Sequence, residues 1–245
     1  LMQNVMSGYH PADQTSLKEK QVLPDSFESI RGMKIGLSID LGFFQIAPDV
    51  EKNTRAAAAA LRRLGAKVEE VDVGWNWGML DTWMTRWEGA FAGLIGDILP
   101  RWHYEMEPWC AQIANNGLQH SAARFYRTNA GRAEQWASLE PILRKYDALI
   151  SPPLCVSRMP ADWDDTTTDF QINGVPINGY LGWIMTWCFN SMSWCPVMSV
   201  PSGFGDDGMP TGLQIVGRTY DDPGVFRIAS AFEKTRPWRG TRPKI

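Results

Sequence analysis

The sequence predicts an α/β fold, and three stretches carry that prediction. Residues 34–73 alternate strand, helix and strand, the signature of a βαβ unit. Residues 195–217, "CPVMSVPSGFGDDGMPTGLQIVG", read as two apolar strands around a glycine-rich, acidic turn. The segment "DDPGVFRIASAFEKT" that follows them carries a helical period. A chain of 245 residues with 44% hydrophobic content can bury a sizeable core, in one large domain or two small ones.

Each element has local reasons. "KIGLSID" and "AKVEEVDV" are the strands of the first unit, and "PDVEKNTRAAAAALRRLG" is its helix. Pro48 opens that helix where a missing N–H costs nothing, Asp49 and Glu51 sit at the positive end of the dipole, and Gly65 stops it. Val50, Thr54, Ala57, Leu61 and Leu64 fall on one face, so the helix should lie on the sheet. Residues 75–145 read as helical and rich in tryptophan (Trp75, Trp77, Trp83, Trp87, Trp102, Trp109 and Trp136), a lid or cover broken at Gly74, Gly78 and Pro108. Tryptophans at helical spacing more often pack than bind a ligand. A last long helix with an internal Pro141 leads into the apolar strand "ALISPPL". Residues 157–182 look loop-like. Their acidic cluster, Asp162, Asp164, Asp165 and Asp169, lacks the glycine and terminal glutamate of a calcium loop and reads as solvated. After the hairpin, with strands at 196–200 and 212–217, Asp222 and Pro223 open a helix that places Val225, Ile228, Ala229 and Phe232 on one face.

Composition excludes several function classes. A net charge of -3 with no Lys/Arg run argues against nucleic acid or an anionic membrane as direct partners. No apolar run approaches the ~20 residues that span a bilayer, and the start lacks a basic region followed by an apolar core. The expectation is a soluble, cytoplasmic protein, and a first residue of Leu raises the expectation of a chain cut from something longer. Cys110, Cys155, Cys188 and Cys195 show no CxxC spacing and are expected reduced and mostly buried.

The same residues offer no complete active site. His10, His103 and His120 lack a nucleophile in a strand-to-helix elbow, and no GxSxG motif occurs. HExxH, paired CxxC and close His clusters are absent, so no metal is expected, and no cofactor. "GFGDDG" precedes a strand, whereas a phosphate loop precedes a helix.

The order of the segments supplies an explanation. "VMSGYHPADQTS", "IRGMKIGLSID", "DVEKNTRAAAAALRRLGAKVEEVDV", "YDALISPPL" and "FNSMSWCPVMSVPSGFGDDGMPTGLQIVGRTYDDPGVFRIASAFEK" run colinear with the second half of the amidase signature family. That family comprises amide hydrolases and the glutamine-hydrolysing A subunit of tRNA-dependent amidotransferases. The chain resembles it over nearly its whole length, least over 75–145. The resemblance implies that residues 1–245 are the C-terminal portion of a single amidase-type domain, a mixed twisted sheet covered by helices on both faces. Residues 147–236 would then supply core strands, pocket wall and the final helix. It also implies that the catalytic Ser, the bridging Ser in a cis peptide and the Lys lie upstream, so no catalytic residue carries over to this chain.

The segment "GWIMTWCFN" resembles one wall of the acyl pocket. The resemblance makes Trp183, Trp187, Cys188, Asn190 and Trp194 the candidate substrate-binding residues. In the amidotransferase branch an acidic residue stands seven positions before the match to Asn190; here that position is Trp183. A partner for a substrate ammonium is replaced by an apolar ring, which favours a hydrophobic or aromatic amide over glutamine. Packing of Trp183 and Trp187 against the lid helices is the competing expectation, as is Asn190 satisfying backbone groups at a strand mouth. The expected partners are a small amide substrate and a missing N-terminal catalytic half. Full-length family members often pair, which allows a homodimer. A non-catalytic binding or scaffold protein, or an amidotransferase A-subunit-like glutaminase part, are the alternatives.

Overall fold

The computed structural model describes residues 1–163, 170–192 and 194–241. Along the chain lie α1 (Met2–Met6), β1 (Lys34–Leu37), α2 (Pro48–Arg63), β2 (Lys67–Glu70), α3 (Met79–Ile95), α4 (Leu99–Trp102) and α5 (Pro108–Leu118). There follow α6 (Ala122–Lys145), β3 (Ala148–Ser151), β4 (Gln171–Ile172), β5 (Val175–Pro176), α7 (Trp187–Asn190), β6 (Val197–Phe204), β7 (Pro210–Gly217) and α8 (Asp222–Thr235).

The expected α/β class is what forms: a five-stranded mixed sheet in the order β2-β1-β3-β7-β6. β1 pairs parallel with β2 and β3, while β7 runs antiparallel to β3 and β6. Side chains alternate across it as the pleat requires. Ile35, Leu37, Ala148, Ile150, Leu213 and Ile215 face one core with Ala57, Leu61, Val225, Ile228 and Phe232 of α2 and α8. Leu149 and Val216 face the other, with Leu139 and Leu143 of α6 and, partly buried, Met79, Leu80 and Trp83 of α3. Helices therefore cover both faces.

Helix ends follow the local chemistry. Pro48 sits in the first turn of α2 with Asp49 and Glu51, and Gly65 just beyond its end takes φ +93°, a conformation a Cβ would strain. Ser121 caps α6 by accepting from Arg124 N, and Asp221 caps α8 by accepting from Gly224 N. α8 itself starts at Asp222, where the sequence pattern places it.

Two differences from expectation are local. The segment read as loop over 157–182 contains the β4–β5 hairpin, whose turn residues Asn173 and Gly174 both have positive φ (55° and 75°). This is the geometry that an Asn-Gly pair favours. The terminal hairpin is longer than its apolar core, because β6 continues past a bulge between Pro201 and Gly203 to Phe204, which pairs with Pro210. Of the acidic cluster, Asp162 is exposed, and Asp164, Asp165 and Asp169 lie outside the described residues.

Three of the four cysteines (Cys155, Cys188 and Cys195) are buried, and Cys110 is half-buried. Burial pushes the Cys195 thiol up to about 11 and raises those of Cys155 and Cys188 well above the ordinary thiol range. A thiol-reactive dye at pH ~8 is therefore expected to label Cys110 rapidly and the other three only on unfolding. Rapid labelling of two or more cysteines in the native protein would contradict this packing.

Candidate substrate wall

The carboxyl ends of parallel strands are where open α/β sheets place their ligands. Here the loops leaving β1 and β3 are knitted together at that end. Ser38 N donates to Ile150 O, Ala47 N to Cys155 O, Cys155 N to Trp183 O and Met185 N to Pro153 O, all at 2.8–3.0 Å. Asn173 Nδ2 adds a bond to Ile46 O at 2.9 Å, tying the β4–β5 hairpin to the same loop. At the neighbouring strand, buried Gln214 of β7 donates to Ser151 Oγ and Pro152 O, both at 2.9 Å.

On this frame stands an aromatic array centred on Trp187. The indole is 2% exposed and lies 6.2–6.5 Å from the rings of Phe43, Phe44, Trp77 and Trp83. Trp83 continues the array to Trp87 at 6.1 Å, and Trp87 stacks on Tyr180 at 5.9 Å. The rims are open to solvent at Trp77 and Trp109, 37% and 42% exposed. The indole N–H groups of Trp83 and Trp187 are buried and have no acceptor among the described residues. A buried indole N–H usually finds a partner, so these two donors, together with the buried Gln214 Oε1 at the neighbouring strand, are polar demands left unmet among the described residues.

α6 holds the wall from behind. Gln135, buried, donates to Cys188 O at 3.3 Å and accepts from Ser191 Oγ at 2.8 Å, and its own carbonyl accepts from Trp75 Nε1 at 3.1 Å. Arg132 Nε donates to Ser191 O at 2.7 Å. These bonds fix the single turn of α7 and the residues after it.

The five residues expected from the sequence are distributed along this segment and do not converge on one cavity. Trp187 is the centre of the array, and Cys188 beside it is fully buried. Trp183 is half-buried and donates Nε1 to Gly179 O at 3.2 Å. Trp194 stacks under the Arg132 guanidinium at 4.7 Å and meets Trp136 edge-on at 6.5 Å. Asn190 is exposed and opens onto a different cavity of about 590 Å³, lined also by Cys195, Val197, Met198, Asp222 and Phe226. Phe43, Phe44, Gln135 and Arg132 were not singled out by the sequence. The paired phenylalanines, separated by two residues from the "LSID" strand end, were the one local signal.

Among the described residues no histidine ring bonds a Ser, Thr or Cys. His10 Nδ1 accepts from Ala12 N, and His120 Nε2 meets Glu88 Oε2 at 2.6 Å. No group of three or more His, Cys, Asp and Glu among them is placed to hold a metal ion. What the wall offers is shape, apolar surface and two indole donors.

A match to the Amidase family runs over residues 1–226. The chain belongs to the amidase family. It is similar to the acylamidase of Rhodococcus erythropolis, with 28% identity over 249 residues that cover 99% of this chain and 51% of that protein. It is also similar to the A subunit of the glutamyl-tRNA(Gln) amidotransferase of Thermodesulfovibrio yellowstonii, at 24% identity covering 100% and 54%. Among solved structures, a bacterial aryl acylamidase of the amidase signature enzymes superposes with a TM-score of 0.83 at 26% identity, covering 96% of this chain and 50% of that one. The chain thus spans about half the length of the curated relatives it matches. No helix of the described residues is long and apolar enough to cross a membrane.

Proposed function

We propose that this amidase-family chain is the C-terminal half of an enzyme that hydrolyses an apolar or aromatic carboxylic amide to acid and ammonia or amine, in the cytoplasm. The nucleophilic serine, the bridging serine and the lysine come from an N-terminal half that this chain docks against. In this scheme the lysine is neutral and relays the nucleophile's proton through the bridging serine.

The observation that carries the half-enzyme reading is the end of the sheet. β6 is eight residues long, is paired among the described residues only with β7, and exposes Val197 and Phe204 at 42% and 58%. A long edge strand with exposed apolar side chains is what proteins avoid unless another strand covers it. A chain matching half of each relative has that covering half to account for. The aromatic array supports the choice of substrate. Trp183 fills the place where the amidotransferase branch carries an acid, and Trp187 gathers four further rings beside the strand ends. Trp183, Trp187, Cys188, Asn190 and Trp194 are proposed as the substrate side of the wall.

The test is reconstitution. Joined to an N-terminal half carrying the lysine and the Gly-Ser-rich loop, the protein is expected to cleave acetanilide with kcat/KM about tenfold to hundredfold above that for glutamine, the worth of burying one ring. The 245-residue chain alone is expected to be inactive. A second reading has its own support, since both sheet faces are already covered by helices of this chain. If the chain alone is monodisperse, unfolds cooperatively and gains no activity from an N-terminal half, it is a binding or scaffold protein derived from an amidase. Preference for glutamine would move it to the amidotransferase branch.

A further inference from the structure

The helical layer carries two cations that no described residue nearby neutralises. Arg86 of α3 donates Nη1 to Thr128 Oγ1 at 3.2 Å and to Asn129 Oδ1 at 3.3 Å. Arg132, one turn further along α6, spends its Nε on Ser191 O at 2.7 Å. Each guanidinium lies over a ring, Arg86 at 5.6 Å from Phe125 and Arg132 at 4.7 Å from Trp194. Neither has a carboxylate within ion-pair reach among the described residues, whereas nearby Arg124 is paired with Asp81 at 2.8 Å. Burial, and after it the charge of Arg86, holds the Arg132 guanidinium below its ordinary pKa.

The donors left over have a definite form. The Nε and Nη2 edge of Arg86 and both Nη groups of Arg132 meet no acceptor among the described residues. Each is a planar two-donor fork, the shape that matches the two oxygens of a carboxylate. Arg86 bonds Thr128 one turn before Arg132 and its charge reaches the Arg132 guanidinium, so two half-buried like charges share this face with no carboxylate among the described residues, and an anion bound there would offset their repulsion. The flanking Trp194 and Phe125 rings offer apolar surface beside the charge.

We propose that Arg86 and Arg132 form a subsite for a small organic carboxylate, on the α3–α6 face next to the residues that follow α7. An aryl or alkyl acid fits it, with the carboxylate on the two forks and the apolar body against Trp194. The subsite shares Trp194 with the proposed substrate wall, but it rests on Arg86 and Arg132, which that reading does not use.

Benzoate is the probe, titrated calorimetrically into the intact protein at low ionic strength. Saturable one-to-one binding is expected, weakened at least about tenfold in Arg86→Gln and in Arg132→Met and falling as salt is raised. Arg86→Gln leaves Thr128 bonded to Phe125 O at 2.6 Å, so its thermal unfolding should match the parent and separate lost binding from lost fold. Three results would overturn the subsite: no saturable heat, undiminished binding in both variants, or a structure of the assembled two-half protein with an Asp or Glu side chain seated on the two forks. Hydrolysis of neutral acetanilide is read separately, so failure here leaves the proposed activity standing, and the reverse holds too.

Discussion

Replacing Trp187 with Ala is expected to destabilise the intact protein by about 3–5 kcal/mol, the range for deleting a large aromatic side chain from a packed core. The indole is 2% exposed and meets four rings that come from the loop after β1, the loop after β2 and α3. Collapse into the space is restricted, since Phe43 and Phe44 are held against each other at 4.3 Å and their loop is bonded to the β3 loop through Ala47 N and Cys155 O. Trp187→Phe separates packing from polarity. It keeps a ring in the array and removes an N–H that is buried without an acceptor, so the lost contacts are offset by relief of an unmet donor worth ~1–3 kcal/mol. The expected cost is below about 1.5 kcal/mol. Urea titrations with unchanged m-values would read both numbers. If Trp187→Phe is as damaging as Trp187→Ala, the donor is satisfied in solution by a group such as a trapped water. If Trp187→Phe is stable but raises KM for acetanilide, the donor serves the substrate.

Legibility in the sequence followed the range of the interactions. α2, α8 and the β1–α2–β2 unit were readable because their evidence is local: Pro48, Asp49 and Gly65 mark ends, and buried residues recur at helical spacing. The terminal hairpin was readable as two apolar runs around "GFGDDG", although its bulge and the added pairs at Gly203 and Phe204 depend on the partner strand. The β4–β5 hairpin was signalled only by Asn173–Gly174, between strands of two residues each. The wall was legible as a segment and not as a site. Trp187 is central because Phe43, Phe44, Trp77 and Trp83 converge on it from more than 100 residues away in sequence. Asn190, three positions on, is exposed and lines another cavity with Cys195 to Met198 and residues of α8, segments that the sequence around Trp187 does not announce. Gln135 and Arg132 carried no signal at all, since a polar residue in the middle of a long helix looks solvated until the chain it bonds to is in place.

The second large effect is expected at the contact between α3 and α5. A Cβ added at Gly117 would stand 2.0 Å from Glu88 O and 2.5 Å from Glu88 C, backbone atoms that cannot rotate away. Gly117→Ala therefore forces the two helices apart. The displacement also strips Glu88 of its bonds from Asn116 at 3.0 Å and His120 at 2.6 Å, leaving a carboxylate that is buried here without its partners. Intrinsic propensity pulls the other way, because Ala in a helix interior is favoured over Gly by ~1 kcal/mol. Overpacking costs ~1–3 kcal/mol and breaking a buried polar cluster adds a comparable loss, so destabilisation wins by about 2 kcal/mol or more. Gly93 is the control within α3, where an added Cβ meets nothing within 4 Å. Gly93→Ala is expected to stabilise by about 0.5–1 kcal/mol, since only the propensity change remains. Opposite signs for the two variants in thermal or urea unfolding, with faster hydrogen exchange across α5 in Gly117→Ala alone, would establish that the close approach of α3 and α5 sets the rigidity of the helical layer. Stabilisation by both would mean that α5 sits further from α3 in solution, and that the layer over the aromatic wall is free to move.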